Sequence, residues 1–132
     1  MIVVDSSAVM AILLREADGD FYARAIVAAD RSVMSTFTYL EASVALCARK
    51  EDPEAAADMD RFLADQAFEL VPYDHQQAVL SRQAYLRFGK GYHPAGLNLG
   101  DCVSYALAKS QDAPLLFKGN DFVRTDVRVW RA

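Results

Sequence analysis

Residues 1–13, MIVVDSSAVMAIL, decide how the fold is read. Ile2-Val3-Val4 is fully apolar, as expected of a strand buried on both faces, and such strands belong to parallel sheets. The run stops at Asp5-Ser6-Ser7, and AVMAILLRE then reads as a helix. A buried strand handing over to a helix predicts an α/β arrangement.

The alternation continues outward from this segment. GDFYARAIVAA reads as a helix, SVMS as a short strand, and TFTYLEASVALCARK as a helix with Leu40, Val44 and Cys47 at helical spacing. Pro53 breaks the chain before EAAADMDRFLADQA, an amphipathic helix with Met59, Phe62 and Leu63 on one side. FELVPY is a strand, and Asp74-His75-Gln76-Gln77 starts a long helix that ends near Phe88. GKGYHPAGLNLG, with four glycines and a proline, is the longest loop. A helix from Asp101, the strand APLLF, a Gly-Asn-Asp turn and a last strand near VRVW complete the chain. This pattern predicts one domain over residues 1–132, a parallel-sheet α/β/α sandwich without repeats or linkers.

Composition narrows the class. The chain of 132 residues is 53% hydrophobic and 24% charged, enough for a core without staples. No apolar run approaches a membrane span, and MIVVDSS carries no basic leader of the kind a secretion signal has. Cys47 and Cys102 sit in apolar helical segments with no metal-binding spacing, so reduced, packed thiols in a cytoplasm are expected. The net charge of −4 speaks against non-specific coating of nucleic acid. Residues 1–74 hold six Lys/Arg against fourteen Asp/Glu, whereas residues 75–132 hold eight against four. An acidic half joined to a basic half can set a carboxylate site beside a surface that attracts phosphate.

Ligands in open α/β sheets gather beyond the carboxyl ends of the strands. Asp5 ends the first strand, although a helix N-cap would explain it equally well. Glu41 follows the second strand. Thr38-Tyr39-Leu40-Glu41 fits a capping box, but a helix start at Ser35 or Thr36 would leave the glutamate free of it. Asp101 stands in a first helical turn, where the helix dipole stabilises an acid by about 0.3–1 kcal/mol. Gly100 before it removes a side chain and permits close approach. Asp121 follows a fourth apolar strand in an ordinary-looking turn. Each acid alone has a structural explanation. Together they would meet at one sheet edge, where clustered carboxylates resist ionising and a divalent cation relieves the penalty. Oxygen-only donors suit Mg²⁺ or Mn²⁺, and such ions support attack on a phosphodiester. His75 and His93 have no evident catalytic partner.

Four segments, IVVDSSAVMAIL, STFTYLEASVAL, RFGKGYHPAGLNLGDCVSYALAK and LLFKGNDFVRTDV, carry a resemblance to the PIN-domain ribonucleases. Within that family the chain resembles the VapC-type toxins of toxin–antitoxin pairs, over essentially its whole length. The resemblance implies a metal-dependent endoribonuclease acting on single-stranded or loop regions of RNA. It implies Asp5, Glu41 and Asp101 as acidic site residues, with Asp121 as the fourth and Asp126 competing for that place. Asp5 and Asp101 would be the most direct ligands of Mg²⁺ or Mn²⁺, and Ser6 and Thr36 would orient carboxylates. Lys90, Tyr92 and His93 in the loop, with Lys118 and Arg124, are candidates for RNA contact. Expected partners are a second copy of the chain in a homodimer and a VapB-type antitoxin.

Another class also deserves weight. A phosphoacceptor receiver domain has similar length and alternation, and would use Asp5, Asp74 and Lys118. It leaves Glu41 and Asp101 unexplained. A PIN-like domain that only binds RNA or protein is less favoured, since all four acids are present.

Overall fold

The computed structural model describes all residues, 1–132. Its elements in chain order are β1 (Ile2–Val4), α1 (Ser6–Leu13), α2 (Gly19–Ala28), β2 (Ser32–Ser35), α3 (Thr36–Lys50) and α4 (Ala55–Asp65). They are followed by β3 (Glu69–Val71), α5 (His75–Phe88), α6 (Leu99–Ser110) and β4 (Leu115–Leu116). The strands form one parallel sheet of four in the order β3-β2-β1-β4. No helix is long and apolar enough to cross a membrane.

The apolar run at the start of the chain explains the layering. Successive side chains of a strand point to opposite faces. Ile2 and Val4 therefore enter one core with Met34, Leu116 and residues of α1 to α4, such as Val9, Ile26, Leu46 and Met59. Val3 enters the other with Val33, Leu115 and residues of α5 and α6, such as Ala84, Phe88, Cys102 and Leu107. β1 is buried on both faces because helices cover both.

β1 pairs with β2 on one side, Val3 opposite Val33, and with β4 on the other, Val4 opposite Leu116. The chain thus departs from β1 in two directions, and ligands of open α/β sheets gather beyond the carboxyl end of such a strand. Asp5 occupies that end.

The expected elements are present with local corrections. The last strand near VRVW shrinks to a single bridge between Leu115 and Val129. The α6 helix begins at Leu99 under the N-cap Asn98, which moves Asp101 to the third helical position. In α3 the expected inward stripe is turned outward: Leu40 and Val44 are each 61% exposed, while Thr38, Ala42 and Leu46 are buried. Both thiols are free, Cys102 buried and Cys47 half-buried.

Candidate active site

Asp5 is 4% exposed and all its visible partners are hydroxyls or amides. It caps α1: its Oδ2 accepts from the Ser7 N–H at 3.1 Å and from the Ser7 hydroxyl at 2.7 Å. Its Oδ1 accepts from the buried Ser104 hydroxyl, on α6, at 2.6 Å. Ser7 Oγ in turn accepts from the Lys118 backbone N–H at 3.0 Å, which ties the chain leaving β4 to the same carboxylate. The cap and the site use one residue.

Ser35 is the true N-cap of α3, accepting from the Phe37 N–H. Glu41 consequently lies beyond any capping box and projects toward the sheet edge, where its Oε1 accepts from the Ser6 hydroxyl at 3.3 Å. Its Oε2 lies over Gly100, and a Cβ at position 100 would overlap that carboxylate. Burial, then the charge of Asp5, raises the Glu41 pKa, with the Ser6 hydroxyl opposing.

Asp101 completes a capping box: its N–H donates to Asn98 Oδ1 at 2.8 Å, and its Oδ2 accepts from the Asn98 N–H at 3.0 Å. Its pKa is pushed up to about 7, chiefly by burial, and by the charges of Asp5, Asp121 and Glu41 against the opposing Asn98 bond. The acids at 5, 41, 101 and 121 therefore share one electrostatic neighbourhood. Asp121 reaches it from an exposed loop after β4.

Asp126 lies in a different cluster. It accepts from the Tyr105 hydroxyl and pairs with Arg87 and Lys109 at 3.3 and 3.4 Å. Thr36, expected to orient a carboxylate, instead accepts from the Tyr73 N–H at 3.0 Å and holds the segment after β3. Lys118 is likewise corrected: two carboxylates, Glu16 and Asp18, occupy its ammonium, so it is no free phosphate contact. His93 is also committed to the fold, for its Nδ1 accepts from the Ala95 N–H at 3.0 Å and its ring packs edge-on to Phe88. Lys90, Tyr92 and Arg124 remain exposed. Ser7 and Ser104 went unseen in the sequence, although Ser104 falls three residues after Asp101, on the same side of a helix.

The donor set fits a hard divalent ion. Cys102 is packed in the apolar core against α5 and not toward the acids, so the charged donors on offer are carboxylate oxygens. No three of these side chains close round a common point. The acids range from buried Asp5 through half-buried Glu41 and Asp101 to exposed Asp121, whereas a cavity of about 380 Å³ lies elsewhere, between α5 and α6 beside Arg87, Tyr105 and Lys109.

Residues 2–128 match the PIN domain. The chain belongs to the PIN-domain family, in its VapC branch. It is 45% identical over 127 residues to Ribonuclease VapC28 of Mycobacterium tuberculosis, covering 96% of this chain and 95% of that protein. Among solved structures it is similar to VapC20 of Mycobacterium tuberculosis, described as a sarcin-ricin loop cleaving toxin. The TM-score is 0.82 at 15% identity, over the full length of both chains. A toxin–antitoxin complex from Klebsiella pneumoniae aligns with TM-score 0.72 at 14% identity, over 98% of this chain and 97% of that one. The receiver reading is overturned. This PIN-domain chain uses Asp74 as the N-cap of α5, accepting from the Gln77 N–H at 2.9 Å, and its Lys118 is paired elsewhere.

Proposed function

We propose that this chain is the toxin of a toxin–antitoxin pair, an endoribonuclease that depends on Mg²⁺ or Mn²⁺ and works in the cytoplasm. The observation that carries this reading is the meeting of Asp5, tied through Ser104 to the helix that bears Asp101, with the Glu41 carboxylate lying over Gly100, at the carboxyl end of β1. The full-length similarity to a ribonuclease supports the substrate class.

Asp5 and Asp101 would hold the ion, with Glu41 and Asp121 completing the anionic shell. When bound, the divalent ion supplies positive charge to the phosphodiester and acidifies water. Glu41, with one bond from Ser6 on Oε1 and Oε2 lying over Gly100, is the carboxylate placed to accept a proton from the attacking water. Lys90 and Arg124 offer phosphate contacts and Tyr92 a stacking face beside this edge. The RNA is presented as a single strand or loop. The reading includes a homodimer and a VapB-type antitoxin. Leu40, Val44, Leu86 and Leu99, all more than half exposed, are apolar surface for partners to cover.

The test is cleavage of a mixed RNA pool by the purified chain with Mg²⁺ or Mn²⁺, against an EDTA control and the Asp101→Asn variant. Metal-dependent cuts absent from the variant are expected. Cuts that persist in EDTA or in the variant would overturn the reading.

A further inference from the structure

Beyond the first helical turn, where Ser6 and Ser7 of α1 donate to Glu41 and Asp5, four helical serines have hydroxyls with an acceptor inside the fold, and one of them behaves differently. Ser43 donates to the Tyr39 carbonyl, Ser81 to the Gln77 carbonyl and Ser110 to the Leu107 carbonyl, each within its own helix. That is the usual local bond of a helical serine. Ser104, in the middle of α6 and 1% exposed, instead sends its hydroxyl to Asp5 Oδ1, 99 residues away, at 2.6 Å.

The consequence follows from counting lone pairs. An ionised carboxylate offers about four acceptor sites on two oxygens. Ser7 fills both on Oδ2 with its N–H and O–H, and Ser104 fills one on Oδ1. One direction on Oδ1 is left. Ser104 also shares a helix with Asp101, one turn on, so the same bond fixes the offset between the two acids.

We propose that Ser104 is a positioning residue that, with Ser7, makes Asp5 a one-point metal ligand aimed by α6. This rests on the metal-dependent reading given above. It differs from a packing role because packing would not depend on the hydroxyl once shape is matched.

The experiment compares Ser104→Thr with Ser104→Val, which have nearly the same shape and differ in the hydroxyl, and includes Ser104→Ala. Free Mn²⁺ is counted by electron paramagnetic resonance in titrations of the metal-stripped, RNA-free chain, and melting is followed in EDTA. The expected result is Mn²⁺ affinity about 10–100-fold weaker in Val and Ala than in the wild type, with Thr restoring most of it. At saturating Mn²⁺, kcat should fall in Val relative to Thr while KM for RNA is unchanged. Thr and Val binding Mn²⁺ alike, both being folded, would overturn the proposal. A wild-type chain that binds no Mn²⁺ would overturn the metal reading itself and this role with it, a separate and recognisable outcome.

Discussion

Asp101 shows how one carboxylate serves two purposes. The sequence poses helix cap and site acid as alternatives, yet Oδ2 closes the capping box while the group as a whole stays in the field of three other acids. Asn at this position can still accept from the Asn98 N–H, so Asp101→Asn should fold normally and lose metal-dependent cleavage. The pH dependence has a definite sign. A carboxyl whose pKa is raised to about 7 in the fold binds its proton more tightly there than in the unfolded chain. Stability from this group is therefore greatest at low pH and is lost as pH rises toward 7. Melting of the metal-free chain between pH 5 and 7 should show the wild type losing stability and Asp101→Asn losing much less. The residual Glu41 contribution has the same sign. Parallel curves for the two proteins would contradict the buried, crowded site. Added Mn²⁺ should restore the wild type at pH 7 and leave the variant nearly unmoved.

At the scale of elements, the glycine before Asp101 matters for what it leaves out. Gly100 is inside α6, where Ala is favoured over Gly by about 1 kcal/mol. Its missing Cβ is the space that the Glu41 carboxylate fills. Gly100→Ala should thus leave the melting temperature unchanged or higher, because a flexible glutamate tip can move aside. Cleavage should drop about 10²-fold from the displaced carboxylate. A variant with full activity would remove Glu41 from the reacting set. Elements were largely legible in the sequence because apolar runs, caps and glycine loops each leave a local mark. The direction that α3 faces was not. Leu40 and Val44 have the right spacing for a core stripe, but Thr38, Ala42 and Leu46 pack inward, since small residues are what let α3 lie close to its neighbours. The pattern of large apolar residues cannot report a core face built partly from small ones. The strand near VRVW also failed, because pairing with a two-residue β4 leaves room for one bridge only.

For the whole molecule, charge is divided in a way that composition anticipated and side-chain pairing then trimmed. Lys118 is neutralised by Glu16 and Asp18, which leaves Lys90 and Arg124 as exposed cations on the segments flanking the acids. Lys90→Ala should weaken binding of single-stranded RNA and reduce the salt slope by about 0.7 for one lost phosphate contact. An unchanged slope would return Lys90 to bulk solvent. Such long-range pairings were invisible in the sequence, as were the bonds of Ser104 to Asp5 and of the Lys118 N–H to Ser7, because nothing local links these positions. The chain order of the site has a temporal meaning too. Its acids come from positions 5, 41, 101 and 121, and β1 is framed on one side by β4 at Leu115–Leu116. During synthesis the first acid emerges long before the strand that seats it. The acid at position 5 can take its place in the site only after β4, more than a hundred residues later, has left the ribosome.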